Sequence, residues 1–351
     1  MAISLSEAQG VFTKKLIDVY RERPKPTNFL RSFFPAELSP TLEVSIQVQR
    51  GTEKVAVDVY RGDSGNRNTW TRSSEKLFIP PYFREKFDLT KLQLYDRVYA
   101  AQGVDAPIFA ALINDTVDHQ LVLQEKIERA IEIQCKNVLE TGIILNAGTG
   151  TSIDYRRKAT SKIDVLAPNY WAVNNPSNTP FDQFEAAGIF LRTIGKAQGG
   201  TFNVILGTQA KDDLYRNTTF LARQNLFNLK LDNVRPPQFN AVGSAYHGQV
   251  SAGAYLFNIW TYPEYYQDSN DQMQPYINPK LMIVIPENPR FKTAFGAVPQ
   301  IVQPGQMPVM GEFVFTNNVD ADRRAWYYNV ESCPLAIPTA VDTIYTAQVC
   351  Q

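Results

Sequence analysis

Residues 107–141 show helical periodicity over an unusual length. Pro107 suits the first position of a helix, and Gly142 suits the position that follows its end. Apolar residues recur between them at helical spacing, which predicts that one side of the helix is buried. This predicted buried stripe consists of Ile113, Val117, Leu121, Ile127, Ile131, Cys135 and Val138. At about 1.5 Å per residue the helix would be about 50 Å long, whereas an average helix has about 11–12 residues. A thin shell subunit has more use for such a helix than a compact domain has.

Charged residues lie on the other side of the same predicted helix. They are Glu125, Glu128, Arg129, Glu132, Lys136 and Glu140. The carboxylates could suggest a metal site, but helical di-metal centres combine several such helices with Glu-x-x-His pairs, and this sequence has no such pair. We therefore predict a solvated face.

The segment before residue 41 has the composition of an extended arm. Four prolines between residues 21 and 40 prevent regular structure. The same segment carries Phe29, Phe33 and Phe34. Because an extended arm cannot bury aromatic rings by itself, it must lie on its own subunit or on a neighbour. We predict that these three residues make inter-subunit contacts.

Alternating apolar and polar residues after position 41 predict two half-buried strands. Residues 61–76 are polar and rich in turn formers, and apolar sequence then returns with LFIPPYFREKFDL. We interpret residues 51–80 as a long hairpin that projects by about 40 Å and rests on another subunit. The predicted contacts at its tip are Arg61, Asp63, Arg67, Trp70 and Arg72.

The rest of the chain predicts a mixed α+β architecture. Thr179 and Pro180 begin a helix that continues to Gln198, with Asp182 completing a capping box. A buried strand at 202–207 and a helix over 210–224 follow. Strand-rich sequence on both sides suggests one α+β domain inserted in another.

Composition excludes several classes of protein. Lys plus Arg and Asp plus Glu number 35 each, so the chain lacks the basic excess of a dedicated nucleic-acid binder. Three widely spaced cysteines do not predict a disulfide framework. The sequence contains no run of 18 apolar residues, so it predicts no membrane span. These features are typical of a protein made and kept in a reducing cytoplasm.

Candidate chemistry is sparse. His119 and His247 are the only histidines, and neither belongs to a zinc or triad motif. The glycine cluster NAGTGTS (146–152) follows a helix and precedes a strand, the reverse of a phosphate loop, so it predicts a turn. We predict no catalytic, cofactor-binding or metal-binding residues and no cofactor.

The order of arm, hairpin, long helix, α+β insert and closing strands resembles the major capsid protein of tailed bacteriophages, with the Hong Kong 97-type fold. Within that class the sequence is similar to the lambda-like capsid E family. Segments along most of the chain carry the resemblance: FLRSFFP (29–35), VQRG (48–51), IPPYFREKFDLT (79–90), QEKIERAIEIQCKNVLETGIIL (124–145), IDYRRKA (153–159), FNVILGTQAKDDLYRN (202–217), IWTYPEYYQD (259–268), FGAVPQI (295–301) and ESCPLAIPTAVDTIYTAQV (331–349). Their order and spacing together are specific.

The resemblance implies a division of the chain. Residues 1–40 would be the N-terminal arm, and 41–97 the hairpin called the E-loop. Residues 98–165 and 312–351 would form the peripheral domain around the long spine helix, and 166–311 the axial domain.

The resemblance also implies a non-enzymatic virion protein, assembled in the bacterial host cytoplasm. Copies would form hexamers and pentamers of an icosahedral shell around double-stranded DNA, which they would contact non-specifically and without a membrane. Portal and decoration proteins are expected partners. A separate scaffolding protein is expected too, because the short N-terminal region leaves little room for an internal one. The alternatives are an encapsulin-like compartment shell and a cytoplasmic hydrolase.

Overall fold

The computed structural model describes residues 25–48, 74–90, 107–146, 150–167, 169–172, 179–226, 238–239, 243–299, 308–320 and 325–351. These residues include four α-helices: α1 (Pro107–Glu140), α2 (Pro180–Thr193), α3 (Thr208–Arg216) and α4 (Thr218–Leu226). Their strands are β1 (Ala36–Leu38), β2 (Val44–Val48), β3 (Ser74–Phe78), β4 (Phe83–Thr90), β5 (Ile143–Asn146), β6 (Thr151–Asp154), β7 (Lys162–Asp164), β8 (Thr201–Leu206), β9 (Gln238–Phe239), β10 (Ala245–Ala252), β11 (Tyr255–Thr261), β12 (Tyr265–Gln267), β13 (Met273–Pro275), β14 (Leu281–Pro286), β15 (Phe291–Phe295), β16 (Val314–Asp320), β17 (Ala325–Ser332), β18 (Pro334–Pro338) and β19 (Tyr345–Gln348).

Helix α1 is the predicted long helix, and it ends one residue before the predicted bound. Four members of the predicted stripe, Ile127, Ile131, Cys135 and Val138, are buried. Leu121 is 40 % exposed, because the core that covers the described part of the helix begins only at Leu123. Its inclusion in the buried stripe was therefore wrong. The side chains of Ile113 and Val117 lie outside the described residues.

A mixed seven-stranded sheet forms the centre of the fold, in the order β7-β19-β14-β8-β11-β10-β9. Its two faces enter different cores because neighbouring strand residues point to opposite sides. Ile205 and Ile283 face the core that contains α1. Leu206 and Val284 face a second core that contains α2. The sheet thus separates the two helices.

The sheet draws on segments that the predicted domain boundaries separate. Strands β7 and β19 lie outside the predicted axial segment 166–311, yet both pair within this sheet. Strand β15 lies inside that segment, but it pairs with β1 and β18 on the α1 side. Strand pairing therefore crosses the boundaries drawn at 165/166 and 311/312.

Helix α2 begins with the predicted capping box. The Asp182 carboxylate accepts the Thr179 backbone N–H at 2.7 Å and the Thr179 hydroxyl at 2.8 Å. The helix ends at Thr193, before the predicted Gln198. Gly195 lies just after this end. A Cβ atom there would lie 2.7 Å from the Asp342 carbonyl oxygen, so only glycine fits at this position.

The helix predicted over 210–224 is instead two helices, α3 and α4, divided at Asn217. The buried Asn217 side-chain oxygen accepts the backbone N–H groups of Thr219 and Phe220, both at 3.1 Å, and so caps the start of α4. Its amide nitrogen donates to the Trp171 carbonyl oxygen at 2.9 Å.

Gln134 is a buried polar residue on the inward side of α1. It is 5 % exposed, and neither amide atom has a hydrogen-bond partner among the described residues. An unsatisfied buried group costs about 1–3 kcal/mol. We therefore expect Gln134→Met, which keeps the volume and removes the polar atoms, to raise the free energy of unfolding by about that amount.

Chemical denaturation of the purified subunit would measure this change. Gln124→Met is the matched control, because the Gln124 amide already donates to Glu128 at 2.9 Å and its loss should give no gain. An unchanged or lower stability of the Gln134 variant would contradict the prediction.

Candidate assembly surfaces

The described root of the arm, residues 27–34, packs against its own subunit. Phe29 and Phe34 are buried in the core that contains α1, and Phe34 stacks on Phe291 with ring centroids 5.0 Å apart. Phe33 is only partly buried. A neighbouring copy cannot reach side chains that the subunit already covers. The prediction of inter-subunit contacts is thus corrected for Phe29 and Phe34, and only Phe33 keeps surface to offer.

The carboxylate of Glu132 holds this arm root on α1. One of its oxygens accepts the Leu30 backbone N–H at 2.7 Å, and the other accepts that of Arg31 at 2.9 Å. The short 3-10 helix Arg31–Phe33 begins at this point. Its first N–H groups lack partners within the helix, and an acidic side chain is well suited to accept them. Glu132 therefore acts as an N-terminal cap contributed by another element.

Glu132 is completely buried, which corrects the prediction of a solvated face. Burial raises the pKa of its carboxyl to about 7, although the two backbone N–H groups and the nearby Arg31 charge act in the opposite direction. The Arg31 guanidinium itself donates to Glu312 at 2.7 Å, so it is shared between two carboxylates. Tyr262 hydrogen-bonds Thr27 at 2.6 Å and ties the arm to the end of β11.

The charged side of α1 is also covered near its end. Glu140 accepts the Asn278 backbone N–H at 2.8 Å, and burial raises the pKa of its carboxyl. Lys136 lies over the Tyr266 ring, 5.5 Å from its centroid, and donates to the Pro275 carbonyl oxygen at 3.4 Å. The hairpin β12–β13 thus covers side chains that the sequence pattern assigned to solvent.

The root of the predicted E-loop hairpin is an antiparallel pair. Strand β2 pairs with β3, with Val44 opposite Phe78 and Val48 opposite Ser74. This register is what a hairpin enclosing residues 49–73 requires. The predicted tip contacts, Arg61, Asp63, Arg67, Trp70 and Arg72, lie outside the described residues.

An exposed apolar surface surrounds this root. We call it the hairpin-root surface, and it consists of Leu42, Ile79, Tyr82, Val309 and Met310. Residues 296–298 connect its parts. Gly296 adjoins Pro80, the Ala297 N–H donates to the Thr41 carbonyl oxygen at 3.0 Å, and Val298 and Val309 exchange backbone hydrogen bonds. Ile79 is 71 % exposed, so the isolated subunit leaves much of this surface uncovered.

Both histidines have structural partners. The His119 ring stacks on Phe87 with centroids 4.2 Å apart. His247 hydrogen-bonds the Thr261 hydroxyl at 2.7 Å, and burial together with the Lys211 charge lowers the pKa of its ring. The predicted turn at 146–152 connects β5 and β6, which pair with each other, although residues 147–149 are outside the described set.

The three cysteines are buried and free. Burial raises the pKa of the Cys135 thiol well above its ordinary range and that of Cys333 to about 11. Such thiols stay protonated and unreactive at neutral pH. Within the described ranges, no three His, Cys, Asp or Glu residues are grouped so that they could hold a metal ion. None of the helices found there is long and apolar enough to cross a membrane.

Solved structures identify the class of fold. A putative capsid protein of a prophage of Escherichia coli CFT073 is similar over 100 % of both chains, with a TM-score of 0.58 and 14 % sequence identity. A phage-related protein of Bordetella bronchiseptica RB50 gives a TM-score of 0.47 at 12 % identity, covering 95 % of this chain and 96 % of that one. An encapsulin of Synechococcus elongatus PCC 7942 gives 0.44 at 10 % identity, covering 100 % and 97 %. The chain has the Hong Kong 97-type capsid fold predicted above.

The family follows from the sequence. The pattern of the family described as phage major capsid protein E matches residues 12–349, so the chain belongs to that family. The sequence matches no curated protein. The resemblance drawn from the sequence is confirmed, and the chain is a phage capsid shell protein. As a member of a structural family it is a component of the virion.

The buried Glu132 makes stability depend on pH. The folded carboxyl has a pKa of about 7, against 4.5 in an unperturbed chain. Between these values the folded subunit holds a proton that the unfolded chain has released. The stabilisation from this group is therefore complete below about pH 4.5 and is lost as the pH rises to about 7. We expect Glu132→Gln, which cannot ionise, to flatten this part of the stability profile.

Urea unfolding of the purified subunit at several pH values would measure the effect. The control is Glu128→Gln, a change of the same charge on the same helix that leaves the buried carboxyl in place, and it should keep the parental profile. A Glu132 variant with the parental slope would show that this carboxyl does not titrate in the folded subunit.

Proposed function

We propose that this capsid protein forms the hexamers and pentamers of an icosahedral shell that encloses the double-stranded DNA of a tailed phage. Family membership and the Hong Kong 97-type fold support the proposal. Equal numbers of acidic and basic residues fit it too, because many copies can then pack without strong mutual repulsion. Contact with the genome is non-specific, and assembly takes place in the bacterial host cytoplasm.

The hairpin-root surface is the observation that carries the assembly proposal. Contiguous exposed apolar side chains on a soluble subunit mark an interaction site. Removing this apolar surface from water would favour association with a neighbouring copy. A neighbouring copy that covered Ile79, Tyr82 and Met310 would remove them from water. The proposed tip contacts belong to the same hairpin, so we propose that the neighbour that covers this surface also receives them.

The finer assignments concern the contacts to neighbouring copies, the two domains and the further partners. The proposed contacts to neighbouring copies are the hairpin tip (Arg61, Asp63, Arg67, Trp70 and Arg72) and the exposed part of Phe33. The proposed peripheral domain is built mainly from residues 98–165 and 312–351 and the proposed axial domain mainly from residues 166–311, with the pairing of β7, β15 and β19 crossing between them. Scaffolding, portal and decoration proteins are the proposed further partners. The protein has no catalytic role in this scheme.

Electron microscopy of the expressed protein tests the proposal most directly. We expect closed shells, and a phage infection should yield particles whose contents are removed by deoxyribonuclease only after the shell is opened. Protein cargo in place of DNA would support an encapsulin-like compartment instead. Small oligomers that turn over a substrate would support the hydrolase alternative and overturn the proposal.

Ile79 offers a sharper test of the assembly surface. Its side chain makes few contacts within the subunit, so Ile79→Asp should change the free energy of unfolding by no more than about 0.5 kcal/mol. We expect the same change to abolish shell formation, because a charge would then be buried between copies. Thermal melting and electron microscopy measure the two effects.

Ile79→Val is the matched control, since it keeps an apolar side chain and should assemble. Parental yields of shells from the Asp variant would place Ile79 outside any interface between copies.

A further inference from the structure

Arg157 connects the end of the long helix to the central sheet. It follows β6 and makes five hydrogen bonds: two to the end of α1, one to Ser161 just before β7, and two to residues around the start of β19. One guanidinium nitrogen donates to the carbonyl oxygens of Leu139 at 2.9 Å and Glu140 at 3.2 Å, and another donates to the carbonyl oxygens of Ser161 at 3.3 Å and Ile344 at 3.1 Å and to the Thr346 hydroxyl at 2.9 Å. Leu139 and Glu140 end α1, whereas Thr346 lies in β19.

The chemistry of these bonds is directional. The last carbonyl groups of an α-helix have no partner within the helix, and a cation near them is favoured by the helix dipole. The planar guanidinium presents its donors in a fixed fork, so it can satisfy both elements only in one relative orientation. The Thr346 hydroxyl also donates to the Leu139 carbonyl oxygen at 3.1 Å and bridges the same two elements directly.

Gly142 provides the space that Arg157 occupies. Its φ of +74° is left-handed, as expected for the glycine after a helix. A methyl group at this position would lie 2.4 Å from Arg157 Cδ and 2.7 Å from Cγ. A residue other than glycine would therefore push the arginine away from the helix end, and the two positions act together.

The contact between α1 and the sheet also includes an apolar core. The shared core includes Ile131, Val138, Ile205 and Ile283. Hydrophobic burial is non-directional, so this packing holds the two elements together without fixing their angle as strictly as hydrogen bonds do. The directional contacts at the helix end are those of Arg157 and Thr346, together with the hydrogen bond that the Asn278 backbone N–H, just before β14, donates to the Glu140 carboxylate.

We infer that Arg157 is a positioning residue that fixes the direction of α1 relative to the seven-stranded sheet, and thereby the curvature with which copies join into a shell. This inference rests on the proposed function. The helix is about 50 Å long, so a rotation of about 5° at this joint would displace its far end by about 4 Å. Displacements of that size, repeated in every copy, change the diameter at which a shell closes.

The test compares Arg157→Met with a core variant of matched stability, Leu335→Ala. Met keeps an unbranched apolar stem, although a shorter one, and removes the guanidinium with all of its N–H donors. Leu335 is fully buried in the core beneath α1, and its side chain makes none of the hydrogen bonds that connect α1 to β19 through Arg157 and Thr346. We expect the Arg157 variant to form open sheets or shells with a shifted and broader distribution of diameters in electron micrographs. The Leu335 variant should form fewer shells of parental diameter.

Arg157→Lys keeps the charge but not the fork, and we expect an intermediate distribution. Gly142→Ala, which displaces the arginine without removing it, should reproduce the defect if Arg157→Met does not fold. Shells of parental diameter from either the Met or the Ala variant would overturn the inference. An identical defect in the Leu335 variant would also overturn it, because the cause would then be stability alone.

Amide hydrogen exchange of the soluble subunit separates this inference from the proposed function. In the Arg157 variant we expect exchange faster by about tenfold in residues 139–146 and 344–348, with other described segments unchanged. Parental exchange rates in these residues would refute the role of Arg157 between α1 and the sheet even if shells form. Faster exchange in a protein that never forms shells would support the role of Arg157 between α1 and the sheet, and it would overturn the proposed function.

Discussion

The structure depends on a buried carboxylate that accepts backbone groups from a distant part of the chain. Glu132 lies in the last third of the long helix, yet it caps a short helix about a hundred residues earlier. An unpaired carboxylate could not remain in this apolar setting, and the arm could not leave its N–H groups unsatisfied there. Each therefore requires the other. This mutual requirement decides that residues 27–34 belong to the body of the subunit, where Phe33 is the aromatic residue that keeps surface to offer a neighbour.

Sequence reasoning predicted the features that follow from periodicity and local chemistry. The bounds of α1 and the capping box at Thr179 depend on patterns that a few neighbouring residues specify. The class of fold was predicted from a family resemblance carried by segments along most of the chain. The burial of Glu132 could not be predicted in this way, because its partners are distant in sequence and are backbone groups that carry no residue signature. Leu121 fails for a related reason. Periodicity identifies a side of a helix, but not how far along that side the core extends.

Other differences arise where one side chain overrides a regional preference. Asn217 divides a predicted continuous helix, since its side chain caps the second half. The domain boundaries were those that the family resemblance implied, whereas strand pairing draws β7 and β19 into a sheet built mainly from the insert. Arg157 is part of a segment that carried the family resemblance, but only the three-dimensional arrangement reveals its acceptors.

The position of β19 has a consequence for the order in which the subunit can be made. This strand pairs with both β7 and β14 inside the central sheet, yet it begins only at residue 345. A ribosome must therefore release nearly all of the described chain before the sheet can close. Until then the surfaces that copies would share belong to a subunit whose central sheet is incomplete. The central sheet therefore closes late in synthesis, and the surfaces that copies would share reach their folded arrangement only after β19 has been made.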